Sequence, residues 1–284
     1  MAPQLEGYLT VSAKPDIRIY YSVDGPLDGS RPTIVLSNSL AATTHLWDGL
    51  TSYFGPTHTI IRYDSRFHGK SPLSADADFN YAAGHSLDNL ADDLILLLDH
   101  LGISRASLAV GLSIGAGVVL IAGAKHPSRL GHVLVVGTKA QPPAGADAAY
   151  DSRIAYGREH GSQSLGRQSV GRWFPEAWIK ANPERAVAVE EIVGGQSIEG
   201  FEASAAALRR LDLWPVVRDI GARGDGKRFT FVAGEHDADI PEDSRRLAAA
   251  AGSEVVIVPD SGHIVNIQQP ERFHRLVQEA LRRA

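Results

Sequence analysis

Three polar residues of the sequence have the types and the order of a nucleophile, an acid and a base. Ser113 lies in the segment AVGLSIGAG (109–117), between two glycines. Asp237 follows in FVAGEHDAD and His263 in PDSGHIV. A serine hydroxyl becomes a nucleophile when a histidine removes its proton and a carboxylate orients the histidine. This combination would perform acyl transfer, in which a carbonyl carbon is attacked and an alkoxide or enolate leaves.

Each of these residues comes just after a segment typical of a buried strand. The three apolar runs are ASLAVG (106–111), RFTFVAGE (228–235) and EVVIVPD (254–260). The run after Ser113, IGAGVVLIAGAKHP (114–127), is small and apolar on nearly every side and predicts a buried helix. A strand, a sharp turn with a serine and a buried helix form a nucleophile elbow, which holds the hydroxyl clear at the carboxyl edge of a sheet. Gly111 and Gly115 suit this turn because they carry no side chain.

The same turn predicts how the charge of a reaction intermediate would be stabilised. The first amides of a helix have no partner within the helix, so the Ile114 N–H is expected to point at the developing oxyanion. A second donor is expected from the backbone N–H of Leu40, in the loop SNSLAA after the apolar run PTIVLSN (32–38). Leu40 and Ile114 together predict an oxyanion hole made of backbone groups.

Neighbouring polar residues leave alternatives open. His236 stands beside Asp237 and is a second candidate for the base, and Asp239 is a second candidate for the acid. Either aspartate could instead cap the helix that follows. Arg66 and His68 flank a turn after another predicted strand, and we expect them to shape that loop.

Alternating strand and helix patterns indicate the fold class. Two segments rich in β-formers, GYLTVSA (7–13) and IRIYYSV (17–23), predict an opening hairpin. The other predicted strands are 32–38, 58–64, 106–111, 132–138, 228–235 and 254–260, and the predicted helices include 86–102, 114–127 and a closing PERFHRLVQEALRR. Strands that alternate with helices form a mostly parallel, doubly wound sheet. The sequence therefore predicts an α/β fold.

Residues 141–214 differ from the rest of the chain in their sequence pattern. They contain helical patterns but no convincing strand, and strand patterns resume after them. This arrangement predicts an α-helical lid inserted between two strands of one sheet. The core would then consist of residues 1–140 and 215–284.

Composition excludes several classes of protein. The 284-residue chain has a net charge of −5 and no long basic run, so we expect neither nucleic acid nor an anionic membrane as a partner. The absence of cysteine excludes disulfides and thiolate catalysis. The first residues lack the pattern of a secretory signal, and no apolar run is long enough to span a bilayer, so a cytoplasmic location is expected. Leu120 replaces the third glycine of a dinucleotide loop, and no metal or organic cofactor is implied.

The sequence resembles the α/β-hydrolase superfamily and, within it, the 3-oxoadipate enol-lactonase group. The resemblance is carried by IVLSNSLAATTHLWD, by RYDSRFHGKSP, and by the lid segments YDSRIAYGREHG, GRWFPEAW and EGFEASAAALRRLDL. It implies the α/β-hydrolase fold and a serine hydrolase that opens a lactone or ester through a Ser-His-Asp triad. Phe67 stands where that group has a glycine, Tyr150 where its lid has a tryptophan, and Val265 and Gln268 where small polar and acidic residues are usual.

The resemblance also implies how a substrate would be held. The substrate of that group carries a carboxylate, and Arg153 matches the arginine of the lid pattern, so we expect Arg153 to bind the carboxylate. Arg167 and Arg172 are further candidates. Three aromatic residues are expected to line the pocket: Tyr150, Trp173 and Phe201.

Two other functions stay open from the sequence. The first is a general carboxylesterase or a lactonase for a different ring, in aromatic or secondary metabolism. The second is a non-catalytic binding module on the same scaffold. The intact set of Ser113, Asp237 and His263 argues against a binding module.

Overall fold

The computed structural model describes residues 4–284, in which eight strands form one sheet. The strands are β1 (Leu5–Ala13), β2 (Asp16–Asp24), β3 (Thr33–Ser37), β4 (Thr59–Tyr63), β5 (Ala106–Leu112), β6 (Leu130–Val136), β7 (Phe229–Gly234) and β8 (Glu254–Val258). Their order across the sheet is β1-β2-β4-β3-β5-β6-β7-β8. The pairs β1–β2 and β2–β4 are antiparallel, and the other pairs are parallel. The predicted mostly parallel sheet with an opening hairpin is confirmed.

The middle of the sheet is buried on both faces. Every residue of β3, β4 and β6 is buried, as parallel strands covered by helices on both sides must be. β1 lies at one edge and is exposed at alternating positions. Because β3 to β8 run parallel, the loops after their carboxyl ends meet at a single edge, where open α/β sheets bind ligands.

The helices connect the strands. They are α1 (Asp48–Phe54), α2 (Leu87–His100), α3 (Ile114–Lys125), α4 (Ala146–His160), α5 (Ser162–Trp173), α6 (Glu176–Ala181), α7 (Pro183–Gly194), α8 (Ile198–Arg209), α9 (Trp214–Arg223), α10 (Ile240–Ala251), α11 (Val265–Gln268) and α12 (Pro270–Leu281). α3 is buried from its first residue to Ala124, as its composition predicts. No helix within residues 4–284 combines the length and the apolar character needed to cross a membrane.

Helices α4 to α8 lie between β6 and β7 in the chain, within the segment predicted to form a lid. The start of α8 docks closely on the loop after β4. A Cβ atom added to Gly200 would lie 2.2 Å from the Phe67 carbonyl oxygen, and the Gly69 N–H donates to the Gln196 side chain at 2.6 Å. These contacts hold one side of the helical segment against the sheet. The division into a core and a lid at residues 141–214 stays a prediction.

The loop after β4 is held by buried polar contacts. Arg66 donates to both carboxylate oxygens of Asp93 at 2.6 Å, and the pair is buried. The Nδ1 of His68 lies 2.8 Å from the Arg66 carbonyl oxygen, and burial lowers the pKa of His68. Arg66 and His68 therefore shape this loop, as predicted.

Candidate active site

The turn between β5 and α3 holds Ser113 in an uncommon backbone conformation. Its φ is 60° and its ψ is −116°, a combination that persists only where the surrounding structure imposes it. The Ser113 N–H donates to the Val136 carbonyl of β6 at 2.8 Å. A Cβ atom added to Gly111 would lie 2.0 Å from the Gly115 carbonyl oxygen, and one added to Gly115 would lie 2.4 Å from the Ser37 carbonyl oxygen. Both glycines are therefore needed for strand, turn and helix to approach this closely.

A Gly115→Ala substitution tests this packing. We expect it to lower the free energy of unfolding by about 2–3 kcal/mol, because the new methyl group would force the β3 backbone away from α3. Gly171→Ala is the matched control: Gly171 is also helical, and a Cβ atom there meets nothing within 4 Å. The control should be neutral or slightly stabilising. Thermal unfolding followed by circular dichroism compares the two variants, and equal stability would contradict the packing argument.

Asp237 and His263 form a hydrogen-bonded pair at the carboxyl edge of the sheet. Asp237 follows β7 and His263 follows β8. The Oδ2 of Asp237 lies 2.7 Å from the Nδ1 of His263. The two side chains are only 11% and 12% exposed, so little water competes for this bond. A carboxylate at Nδ1 orients the imidazole and leaves Nε2 to accept a proton.

Gln268, in the short helix α11, braces the loop that carries His263. Its Oε1 accepts from the Gly262 N–H at 2.7 Å, and its Nε2 donates to the Asp260 carbonyl at 3.1 Å. The His263 N–H in turn donates to the Trp173 carbonyl at 2.9 Å. No sequence pattern signals this bracing role, since it depends on a side chain that folds back onto a loop.

The alternative base, His236, and the alternative acid, Asp239, have other partners. His236 is exposed, with its Nε2 3.9 Å from the carboxylate of Glu235. Asp239 forms an ion pair with Lys139, and that hydrogen bond lowers the pKa of Asp239. Among the described residues, neither forms a hydrogen bond with the imidazole of His263, whose Nδ1 is bonded to Asp237. The geometry favours Asp237 and His263.

The two amides expected to form an oxyanion hole are available as donors. Ile114 is the first residue of α3, and Leu40 lies in the loop after β3. Among residues 4–284, neither N–H donates to a protein acceptor. Free amides at the start of a buried helix and on the facing loop can bind a developing oxyanion.

Ser113, Asp237 and His263 line one cavity of about 320 Å³. A cavity of this size takes a small organic molecule. The rest of its wall comes from the loops at the carboxyl edge and from the inserted helices: Ser39, Leu40, Gly137, Thr138, Lys139, Pro142, Pro143, Tyr150, Arg153, Arg172, Trp173, Leu208, Leu211, Ala238, Asp239 and Ile240. Tyr150 and Trp173 thus lie where the sequence places them. Phe201 is buried and does not belong to the wall.

Three cationic side chains line the cavity, and they differ in their ionic partners. Lys139 is paired with Asp239. Within residues 4–284, no carboxylate forms an ion pair with Arg153 or Arg172. Arg167, the other candidate from the sequence, is exposed and lies outside the cavity wall.

The guanidinium of Arg153 contacts two uncharged side chains. Its Nη2 donates to the Ser169 hydroxyl at 2.9 Å, and its central carbon lies 4.8 Å from the centre of the Phe201 ring. Its Nε has no hydrogen-bond partner in the described part of the chain. Burial, with a smaller contribution from the charge of Arg172, lowers the pKa of Arg153 to about 10. Arg153 therefore keeps its positive charge at neutral pH without a counter-ion from residues 4–284.

Comparison with known proteins identifies the family. The profile described as the alpha/beta hydrolase family matches residues 34–276, which is most of the chain. The chain belongs to the alpha/beta hydrolase family. This confirms the predicted fold and the predicted class of enzyme, a hydrolase of the lactonase and esterase type.

Individual alpha/beta hydrolases resemble this one over nearly its whole length. The 3-oxoadipate enol-lactonase 2 of Acinetobacter baylyi is 28% identical, over 94% of each chain. A protein of Caulobacter segnis, provisionally named the carbamate hydrolase RutD, is 26% identical, over 90% of this chain and 93% of its own. The crystal structure of the enol-lactonase from Burkholderia xenovorans LB400 superimposes with a TM-score of 0.84 at 28% identity, covering 97% of this chain and 100% of that one.

Two departures from the enol-lactonase pattern lie in different places in this alpha/beta hydrolase. Phe67 has a φ of 65° and packs against Phe79 and Tyr81, with ring centres 5.0 and 5.2 Å away. It lies outside the cavity wall, whereas Tyr150 forms part of that wall. Of these two departures, only the one at Tyr150 lies in the wall of the cavity that contains Ser113.

Proposed function

We propose that this alpha/beta hydrolase opens a small lactone that carries a carboxylate, most like 3-oxoadipate enol-lactone, through an acyl-enzyme on Ser113. The name of the Acinetobacter baylyi relative supports this substrate class. The observation that carries the proposal is Arg153, a charged group in the wall of the cavity without a counter-ion from the described residues. A partly buried cation without an ionic partner is costly, and a substrate carboxylate would supply the missing charge.

In the proposed first half-reaction, the Ser113 oxygen attacks the lactone carbonyl carbon while Nε2 of His263 takes the serine proton. Asp237 stabilises the imidazolium that forms. The negative charge moves to the carbonyl oxygen, which the Leu40 and Ile114 N–H groups bind. The bond between the carbonyl carbon and the ring oxygen then breaks, and the ring oxygen leaves as an enolate.

His263 returns its proton to the leaving enolate, which becomes an enol and then a ketone, and this completes the first half-reaction. The enol stays attached to the acyl group, because it was part of the same ring. The second half-reaction releases the acid. A water molecule gives its proton to His263, its oxygen attacks the acyl carbon, and Ser113 recovers its proton as the bond to the acyl group breaks.

Matched substrates test the proposal. The purified protein would be assayed with a five-membered enol-lactone bearing a carboxymethyl group, with the primary amide of the same compound, and with a short p-nitrophenyl ester. The acid and the amide have nearly the same shape and differ in charge. We expect kcat/KM to be highest for the acid. Equal turnover of acid and amide, or turnover of the ester alone, would contradict the proposal that the substrate carries a carboxylate. Either result would favour a general esterase.

An Arg153→Gln variant should lose this preference. A hydrogen-bonded pair between an arginine and a carboxylate contributes about 1.5–3 kcal/mol, so we expect the acid-to-amide ratio of kcat/KM to fall about 10- to 100-fold. The loss should be mainly an increase in KM for the acid, because the carboxylate is bound equally in the ground state and the transition state. Arg153→Lys keeps the charge but lacks the planar guanidinium. Its acid-to-amide ratio of kcat/KM should lie between those of the wild type and Arg153→Gln. Equal loss on acid and amide would exclude Arg153 from this role.

A further inference from the structure

Arg172 is the second cation of the cavity without an ionic partner among residues 4–284. It lies in the last turn of α5, is exposed, and belongs to the cavity wall together with Ser113 and Arg153. Its chain neighbour Trp173 accepts the His263 N–H and has its ring centre 6.0 Å from the imidazole ring. Arg172 is therefore an exposed residue of the cavity wall, next in the chain to a residue that contacts His263.

The two arginines affect each other through space. Arg153 and Arg172 both belong to the wall of the same cavity, and the positive charge of Arg172 is one cause of the lowered pKa of Arg153. Lys139 contributes less positive potential to the cavity than the two arginines, because the carboxylate of Asp239 neutralises its charge. An anion in the cavity would relieve the repulsion between the two guanidinium groups, and a neutral molecule would not.

We propose that Arg172 is a specificity-determining residue that attracts anionic substrates to the mouth of the cavity and so adds to the selection made at Arg153. This inference rests on the proposed function, since it assigns a second group to the recognition of the same substrate charge. An exposed cation acts through its charge over several ångströms, and salt screens that action. Arg153, which is more deeply placed, would hold the carboxylate once it has arrived.

A different role for Arg172 has a different signature. A cation in the last turn of a helix also stabilises the helix through its macrodipole. That effect would act on the stability of α5 and would change the turnover of every substrate alike. The ratio of activities on charged and uncharged substrates separates the two roles.

The test uses Arg172→Gln, with Arg167→Gln as the matched control. Arg167 is an exposed arginine of the same helix, outside the cavity wall, and its loss changes the net charge by the same amount. At low ionic strength we expect Arg172→Gln to lower the acid-to-amide ratio of kcat/KM about 3- to 10-fold. The effect should shrink when the salt concentration rises from about 20 mM to about 0.5 M. Arg172→Lys should keep most of the ratio, and Arg167→Gln should leave it unchanged.

Each outcome decides one proposal. If wild-type protein prefers the acid and Arg153→Gln removes that preference while Arg172→Gln does not, the proposed function stands and the role of Arg172 is wrong. The role is also wrong if Arg167→Gln lowers the ratio equally, or if the effect of Arg172→Gln is independent of salt. If wild-type protein does not distinguish acid from amide, the carboxylate-bearing substrate itself is wrong.

Discussion

The Ser113→Ala protein is expected to keep its fold and to lose at least about 10⁴-fold in kcat on every substrate that the wild-type protein hydrolyses. The large loss follows because no acyl-enzyme can form without the hydroxyl. The fold should persist because the Ser113 side chain makes no capping hydrogen bond at the start of α3. Alanine also leaves the close contacts of Gly111 and Gly115 unchanged, since it is no larger than serine.

Two measurements check this expectation. Kinetic assays give the loss in kcat, and circular dichroism with thermal unfolding shows whether the variant is folded. A fluorophosphonate probe should add one adduct to the wild-type protein, on the peptide that contains Ser113, and none to the variant. An active alanine variant, or an adduct on another residue, would overturn the mechanism. A wild-type protein that is never labelled would favour the non-catalytic binding module.

The sheet could be predicted from the sequence, and so could the positions of Ser113, Asp237 and His263 at the ends of strands, because the sequence patterns involved are local. The strands in the middle of the sheet are mostly apolar segments, and each of the three residues follows a segment of this kind. In a parallel sheet the carboxyl ends of strands share an edge, so residues far apart in the chain are expected to meet there. The 2.7 Å contact between Asp237 and His263 has the arrangement that this rule predicts.

The wall of the cavity was harder to predict, because it depends on how helices pack. Residue type alone does not distinguish the three lid arginines, Arg153, Arg167 and Arg172. The packing of α4 and α5 places Arg153 and Arg172 in the cavity wall and Arg167 outside it. Phe201 is aromatic and in the expected segment, yet it lies beneath Arg153 and contacts its guanidinium. No periodic or local pattern in a single sequence indicates which of these side chains line the cavity.

The neighbouring aspartates show the same limit at shorter range. Asp237 and Asp239 are two residues apart in one turn, and residue type alone does not say which of them meets the histidine. The turn settles this through its backbone, since Ala238 between them has a φ of 44°. Asp239 is then free to pair with Lys139.

An Asp237→Asn variant should therefore lose about 10³- to 10⁴-fold in kcat while it binds substrate nearly normally. An amide can present an N–H to Nδ1 of His263, which favours the wrong tautomer, and it cannot stabilise the imidazolium. Asp239→Asn is the matched control, because it makes the same chemical change two residues away, where the carboxylate is paired with Lys139 and not with His263. Its kcat should stay within about threefold of wild type, as expected for the loss of an exposed ion pair. Steady-state kinetics on both variants discriminates the two carboxylates: the larger loss in Asp239→Asn would transfer the role of the acid to Asp239.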